Sequence, residues 1–290
     1  MPELPEVEGV VRDLKPAVEG KVITSIELSK TIFESNAAGK QCIIKNIEPL
    51  FFQEVMTGMA ITKITRRSKY IFFTIERDGE PFMLVNHLGM TGAWFIVQSL
   101  DGITEEKFRK HAHAVFTLNT GELLVFSDIR RFGELRFLKT IDDHPPLLKM
   151  APEPFDEDAC QFFLVQCEKE KYKNKAIKEV IMDGQVISGC GNIYATEALF
   201  KERIHPARKV NRISKARRQA LFASIQAILQ ESIDVGGSTI SDYRSINGGA
   251  GEMQHRLKMY GKKACLVCES PTKTMTIAGR TSVYCPNCQR

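Results

Sequence analysis

Apolar residues near the start of the chain recur at steps of three and four. The stripe consists of Leu4, Val7, Val11, Leu14 and Val18. This spacing predicts an amphipathic helix that ends before Gly20. Pro5 falls in its first turn, where proline is tolerated because no backbone hydrogen bond is lost there. Met1, Pro2 and Glu3 therefore precede the predicted helix.

The pattern then changes to short apolar runs, several of them alternating, that predict β-strands. The runs are "KVITSIEL", "MAITKIT", "KYIFFTI", "FMLVNHLGM", "HAVFTL" and "ELLVFSD". "ERDGEP" joins the third run to the fourth, and the turn residues 119–121 separate the last two. For residues 1–140 we predict a β-rich domain, a two-layer sandwich with the N-terminal helix packed against it.

Beyond this domain the pattern is helical. Residues 141–155, which include "DDHPPLLKMAPEP", read as a linker. A helix is predicted to open at residues 156–158, where three acids suit a helix N-terminus. A second helix is predicted from the apolar stripe of residues 221–233, and it should end at Gly236. Gly189 and Gly191 precede a helix that opens at Asn192, and such glycines serve either a close backbone approach to a phosphate or simple packing.

Composition describes an ordinary soluble protein. The chain has 290 residues, 43% hydrophobic and 26% charged, which allows two modest domains. No apolar run approaches the roughly 18 residues that span a bilayer, and the N-terminus carries acids where a signal peptide would carry positive charge. We expect a cytoplasmic protein.

Charge is unevenly distributed. The net charge is +5, but residues 201–290 contain sixteen lysines and arginines against six aspartates and glutamates. A solvated surface explains an isolated run of charge. An excess over ninety residues that include a metal motif favours a polyanionic partner such as nucleic acid.

Four of the eight cysteines form a metal-ligand pattern. Two C-x2-C pairs, Cys265 with Cys268 and Cys285 with Cys288, lie sixteen residues apart. Four thiolates at this spacing predict one structural Zn²⁺, and disulfides are disfavoured in a reducing cytoplasm. The intervening segment reads as a β-hairpin of residues 274–277 and 281–284. Arg280 lies near its tip.

Six motifs in order along the chain resemble the bacterial formamidopyrimidine-DNA glycosylases, the 8-oxoguanine DNA glycosylase/AP lyases of the H2TH superfamily. They are "PELPEVE", "RRSKY", "HLGMTG", "SDIRRFGE", "GCGNIYATEALF" and "YCPNCQR". The resemblance implies an α+β fold: a catalytic β-sandwich domain (1–140), a helical helix-two-turn-helix domain with a lesion-capping loop (156–250) and a zinc β-hairpin (251–290). Gly184 and Thr196 depart from the family pattern without removing a catalytic group.

The resemblance also implies a reaction. Pro2, freed by removal of Met1, attacks the deoxyribose C1′, and the strand is then cut by β- and δ-elimination. An α-amino group suits this role because its ordinary pKa of about 7.7–8.0 lies well below the 10.4 of lysine. Glu3 is the implied general acid/base and Lys69 assists beside the lesion phosphate. Glu6 is expected to hold the sugar, and Glu8 to be a surface residue.

The remaining implied contacts are to DNA. Met90, expected to be exposed, forms with Arg130 and Phe132 a wedge that fills the gap left by the everted base. His87 supports the backbone near Met90. The implied phosphate-binding residues are Lys175, Asn192 and Arg280. Ser238, Tyr243 and Arg244 belong to the capping loop. The register of Lys175 is ambiguous because lysines flank it.

The expected partner is double-stranded DNA containing an oxidised base, bound by a monomer in the bacterial cytoplasm, at the nucleoid and not at a membrane. Three alternatives remain open at this level. An endonuclease VIII-like glycosylase would prefer oxidised pyrimidines, a zinc-ribbon DNA-binding protein would need no free Pro2 amine, and a tautomerase-like enzyme would use Pro2 as a base. The last leaves the zinc hairpin unexplained.

Overall fold

The computed structural model describes residues 2–238 and 251–290. The described residues form two compact units that interleave along the chain. Pro2, residues 6–148, Ser238 and Gly251 belong to the first, which we call the sandwich unit. Residues 3–5, 149–237 and 252–290 belong to the second, the helical unit.

Nine strands and five helices lie in the N-terminal half of the described chain. The strands are β1 (Ile23–Leu28), β2 (Ile44–Lys45), β3 (Ala60–Arg67), β4 (Tyr70–Arg77), β5 (Glu80–His87), β6 (Gly92–Val97), β7 (Ala112–Leu118), β8 (Leu123–Asp128) and β9 (Glu134–Leu138). The helices are α1 (Leu4–Val18), α2 (Lys30–Ala37), α3 (Pro49–Met56), α4 (Glu106–Arg109) and α5 (Pro145–Leu148).

The strands form two sheets. One has the order β1-β7-β8-β6 and the other β2-β9-β5-β4-β3, and every pairing is antiparallel except that of β2 with β9. The sheets share one core, in which the Trp94 ring of β6 lies 5.4 Å from that of Phe73 on β4. The predicted sandwich is therefore present. Val7, Val11 and Leu14 of α1 pack into this core, as the apolar stripe predicts.

One polar side chain links the two layers inside the core. Asn86 of β5 is fully buried; its Oδ1 accepts a hydrogen bond from Trp94 Nε1 at 2.9 Å, and its Nδ2 donates to the carbonyl of Glu134 at 3.0 Å. A buried amide costs free energy unless its donors and acceptor are paired. This pairing sets the position of β6 over β5.

The helical unit is built from the elements that follow. They are α6 (Ala159–Glu168), α7 (Glu170–Lys173), α8 (Ile177–Ile181), α9 (Asn192–Lys201), α10 (Lys215–Asp234), α11 (Met253–Arg256), β10 (Lys273–Ile277) and β11 (Arg280–Tyr284). Its core is centred on Phe163, Tyr194, Leu221 and Phe222. No helix among the described residues is both long enough and apolar enough to cross a membrane.

Most of the predicted elements are confirmed, including the α10 stripe and the hairpin turn at Ala278 and Gly279, where φ is +47° and +72°. β6 and β9 were not predicted. Residues 92–95 of β6 are buried without a break, so this strand shows no alternation of apolar and polar positions. The segment read as a linker contains α5, and Leu147 in it is buried.

The Asn86 contact predicts a stability loss. Asn86→Leu leaves the Trp94 N–H and the Glu134 carbonyl buried and unpaired, so we expect the free energy of unfolding to fall by about 2–4 kcal/mol. Thr62→Val, which removes one exposed side-chain hydrogen bond, is the control and should change it by less than about 0.5 kcal/mol. Denaturant unfolding measures both, and a loss of under about 0.5 kcal/mol for Asn86→Leu would contradict this assignment.

Candidate functional site

The N-terminal residues Pro2 and Glu3 are both buried. Within the helical unit, the Glu3 carboxylate meets the first turn of α9: Oε2 accepts from the Gly191 amide at 2.6 Å and Oε1 from the Ile193 amide at 2.9 Å. A helix N-terminus offers free N–H donors and the positive end of its dipole, which is the setting that a carboxylate favours. Glu3 is thus held at both oxygens.

The two glycines of "GCGN" make room for this contact. A Cβ on Gly191 would overlap the carboxyl group of Glu3, and a Cβ on Gly189, whose φ is +77°, would lie 2.5 Å from Leu4 Cβ. The amide of Leu4 also donates to the Gly189 carbonyl at 3.2 Å. Of the two readings of these glycines, the structure shows packing: the anion at Gly191 is the chain's own Glu3.

A buried lysine lies beside this contact. Lys178 of α8 is 0% exposed, and its Nζ donates to Thr196 Oγ1 at 2.7 Å. Thr196 donates in turn to the Asn192 carbonyl at 2.7 Å. Burial lowers the pKa of Lys178 to about 8, while the nearby charges of Glu3 and Cys190 oppose the shift. Lys178 is therefore a partly neutral amine near neutral pH.

Sequence reasoning selected a different lysine from the same motif. Lys175 Nζ lies 2.6 Å from Glu179 Oε1 and is 40% exposed, an ordinary surface ion pair. Lys178 differs from Lys175 in being buried, which the sequence around the two lysines does not show. The one sequence feature connected with its burial is Thr196, whose hydroxyl accepts the Lys178 hydrogen bond.

The zinc hairpin is joined to the same helix. Asn192 Nδ2 donates to the Thr281 carbonyl at 3.1 Å, next to the exposed Arg280. At the other side of α9, Glu197 accepts from the amides of Lys258, Met259 and Tyr260 at 2.7–2.9 Å. These bonds hold Asn192 and the hairpin tip together.

The four cysteines fit a tetrahedral Zn²⁺. Their sulfurs all lie within 4.8 Å of one another, with Cys265 Sγ 3.8 Å from Cys288 Sγ and Cys268 Sγ 3.5 Å from Cys285 Sγ. Zn–S bonds of about 2.3 Å in tetrahedral geometry put sulfurs about 3.8 Å apart. A bound zinc would crosslink the two knuckles, and four thiolates leave no coordination position for a reacting water.

Lys69 lies in the sandwich unit, in the two-residue turn between β3 and β4 and not on the strand that was predicted to begin with it. The turn is held by Arg66, whose Nη1 donates to the Ser68 carbonyl at 3.1 Å. Glu8 of α1 accepts from Arg66 Nε at 2.8 Å. The expectation that Glu8 is a surface residue missed this contact: Glu8 is half-buried and supports the turn that carries Lys69.

The loop after β5 is shaped by His87. Its Nδ1 accepts a hydrogen bond from the Gly89 amide at 3.1 Å, as the sequence reading expected of this side chain. Burial lowers the pKa of His87 to about 4, and the charges of Lys69 and Arg136 add to this effect against that of Glu134. His87 is therefore neutral at pH 7, the form that can accept from Gly89.

Met90, Arg130 and Phe132 come together at the ends of two loops of the sandwich unit. Arg130 Nη1 lies 3.1 Å from the Met90 sulfur, and its guanidinium lies 4.8 Å from the centre of the Phe132 ring. Phe132 is 45% exposed. Met90 is half-buried, which corrects the expectation of an exposed side chain, because Arg130 covers its sulfur.

Asp128 holds these loops in place. This fully buried carboxylate accepts from Thr91 Oγ1 at 2.5 Å, from the Gly133 amide at 2.6 Å and from the Arg130 amide at 3.2 Å. A Cβ on Gly89 would lie 2.5 Å from the Phe132 backbone, so the loops touch through their main chains. Sequence reasoning did not identify Asp128, although it lies within the quoted motif "SDIRRFGE".

Glu6 is the second buried carboxylate of the N-terminal motif. Its Oε1 accepts from the Ser238 amide at 2.7 Å, so the described structure places it against the start of the predicted capping loop. Tyr243 and Arg244, the other predicted residues of that loop, lie outside the described residues.

Comparison with known proteins gives a match along nearly the whole chain. Three family models match: the formamidopyrimidine-DNA glycosylase N-terminal domain over residues 1–135, the H2TH domain of the same glycosylase over 150–244, and the zinc finger found in FPG and IleRS over 262–290. A formamidopyrimidine-DNA glycosylase of Legionella pneumophila is 37% identical over 292 residues, which cover 100% of this chain and 98% of the relative.

Solved structures agree. A Lactococcus lactis FPG variant in complex with DNA containing Fapy-dG superposes with a TM-score of 0.84 at 33% identity, over 100% of both chains. A structure of MutM in complex with DNA containing carbocyclic 8-oxo-G gives 0.82 at 32% identity, again over 100% of both chains.

The Glu3 contact predicts the effect of a single methyl group. Gly191→Ala places a Cβ where the Glu3 carboxyl lies, so we expect Glu3 to be displaced and turnover of damaged DNA to fall by about 10²-fold, the loss typical of a misplaced reacting group. Gly184→Ala, where no atom lies within 4 Å of the new Cβ, is the matched control and should retain activity. Equal activity of both variants, in a single-turnover assay, would refute this role of Gly191.

Lys178 predicts a pH dependence of stability. Its folded pKa of about 8 lies below the ordinary 10.5, so between these values the unfolded chain binds more protons and stability rises with pH. Between these two pKa values, the free energy of unfolding of the wild type should rise with pH by up to about 1.4 kcal/mol per pH unit more than that of Lys178→Met. Leu148→Met, an exposed substitution that changes no titrating group, is the control and should follow the wild type at every pH. Urea unfolding at pH 7.5 to 10 measures it; parallel curves for wild type and Lys178→Met would contradict the shift.

Proposed function

Since the chain belongs to the formamidopyrimidine-DNA glycosylase family, we propose that it excises oxidised purines, 8-oxoguanine and formamidopyrimidines, from duplex DNA and then cuts the abasic strand. The observation that carries the proposal is the fixed Glu3 carboxylate directly after Pro2. A nucleophile with an adjacent, oriented proton-transfer group is what covalent catalysis requires.

Pro2 is the proposed nucleophile once Met1 has been removed. The lone pair of its secondary amine forms a bond to C1′, the C1′–N bond to the base breaks, and the base leaves with a proton. Opening of the sugar ring gives an iminium. Its positive charge acidifies the C2′ protons, so loss of one expels the 3′ phosphate, and a second elimination expels the 5′ phosphate.

Glu3 is the proposed proton-transfer group at the sugar. Its two amide donors, Gly191 and Ile193, orient the carboxylate. A positioned acid or base typically contributes 10²- to 10⁴-fold in rate, by order of magnitude. Lys69 is proposed to bind the phosphate beside the lesion, and Glu6 to contact the sugar while holding Ser238.

The DNA would be held by two groups of side chains. Met90, Arg130 and Phe132 are proposed to fill the space left by the everted nucleotide, with Arg130 bonding the orphaned cytosine and Phe132 stacking in the duplex. Asn192 and Arg280 are proposed to bind phosphates, since both lie where the hairpin meets α9. Lys175, Ser238, Tyr243 and Arg244 remain proposed contacts on the family pattern alone.

The oxidised-purine preference is supported by the relatives solved with Fapy-dG and 8-oxo-G DNA. The endonuclease VIII-like and non-enzymatic alternatives are not favoured. We propose further that a monomer acts on double-stranded DNA in the bacterial cytoplasm, where the chromosome lies. The domain division at 1–140, 141–155, 156–250 and 251–290 also stands as a proposal.

Incision of defined duplexes tests the function. We expect strand cleavage at 8-oxoguanine opposite cytosine to exceed that at an oxidised thymine by at least about tenfold, with the β,δ-elimination products. Glu3→Gln should lower single-turnover cleavage by about 10²-fold or more, while Glu27→Gln, at an exposed acid of β1 away from the reacting groups, should keep most of it. Preference for the oxidised thymine, or DNA binding without cleavage, would overturn the proposal.

A further inference from the structure

The residues that line a groove in the helical unit include none of those assigned above to DNA. Its volume is about 290 Å³, and its apolar lining comes from Phe200, Ile228, Met253 and Val267. Binding cavities for whole small molecules usually exceed about 300 Å³. This groove is therefore of a size to take one or two apolar side chains.

The edge of the groove carries excess positive charge. Lys201, Arg203, Arg256 and Lys258 line it and are exposed, and the acids that line it are Glu197 and Glu231. Both oxygens of Glu197 already accept backbone amides. Glu231 pairs with Arg256 at 3.3 Å. Four cations and two acids line the groove, so its edge carries a net positive charge.

Two large apolar side chains extend this surface into solvent. Leu266 and Val267, between the first two zinc ligands, are 64% and 65% exposed. Adjacent exposed apolar residues beside a cavity are typical of a protein-binding surface and not of a solvated one. The zinc knuckle gives them a rigid support, because Val267 N donates to Cys265 Sγ.

The groove lies at the opposite end of α9 from Asn192. Asn192 is the first residue of α9, and Phe200 and Lys201 are its last. At 1.5 Å per residue the two ends are about 13 Å apart along the axis. An apolar side chain bound beside Phe200 would therefore not occupy the Asn192 end of α9.

We propose that this groove docks an acidic peptide segment of a partner protein. The partner's leucine or phenylalanine side chain enters between Phe200, Met253 and Val267, and its flanking carboxylates face Lys201, Arg203 and Lys258. A DNA backbone would use the cations alone and has no group for the apolar floor. The charge and the apolar lining together select the peptide.

Titration with a labelled peptide tests the proposal. The probe is fluorescein-EDELFED, followed by anisotropy with the full-length zinc-loaded protein, against two control peptides, EDESSED without the apolar pair and KRKLFKR without the acids. We expect saturable binding of the first only. Lys201→Glu combined with Lys258→Glu, and separately Val267→Ser, should each weaken it about tenfold or more. Lys149→Glu, an exposed charge reversal outside the groove, should leave it unchanged.

Two further readouts decide the outcome. Amide shifts of the wild-type protein on adding the peptide should cluster at Met253, Leu266 and Val267, which keeps the test valid if a variant folds poorly. Binding of undamaged duplex should be unchanged in the Lys201/Lys258 double variant. Weak, non-saturating peptide binding, or a loss of duplex affinity in that variant, would overturn the proposal, and the second result would assign the cations to DNA.

Discussion

The contact between the Glu3 carboxylate and the first turn of α9 is the constraint on which the proposed chemistry depends. It requires a glycine at 191, free amides at the helix start and a side chain long enough to reach them from the N-terminus. Since consecutive Cα atoms are 3.8 Å apart, holding Glu3 also restricts where the nitrogen of Pro2 can lie. One interaction thus positions the proposed proton-transfer group and limits the position of the proposed nucleophile.

The same type of contact, a buried carboxylate that accepts backbone amides, occurs at three other places among the described residues. Buried carboxylates accept backbone amides from segments that have no sheet or helix partner of their own: Asp128 holds residues 130–133, Glu197 holds residues 258–260 and Glu6 holds Ser238. Charge-assisted bonds to backbone amides are among the stronger hydrogen bonds in proteins. Among the proposed DNA contacts, Arg130 and Phe132 are therefore carried on a loop that Asp128 fastens, and Ser238 is fastened by Glu6.

The strands with clear alternation, the α1 and α10 stripes and the four-cysteine hairpin could be predicted because each depends on residues near one another in the chain. The partners of the buried acids could not. Glu3 and Gly191 are 188 residues apart, and no local pattern links them. Lys178 was missed for a related reason: burial separates it from Lys175, and burial depends on the folded core. Glu8 was misread because its partner Arg66 comes from a distant strand.

Pro2, placed by Glu3, is proposed to form the covalent bond to the sugar. Lys178, whose pKa burial lowers to about 8, and Lys69 are the amines against which Pro2 is tested. Borohydride trapping on a duplex with 8-oxoguanine opposite cytosine, followed by peptide mapping of the adduct by mass spectrometry, separates them directly. We expect a single adduct on residue 2 that is absent when Met1 is retained; an adduct on Lys178 or Lys69 would show that Pro2 is not the nucleophile.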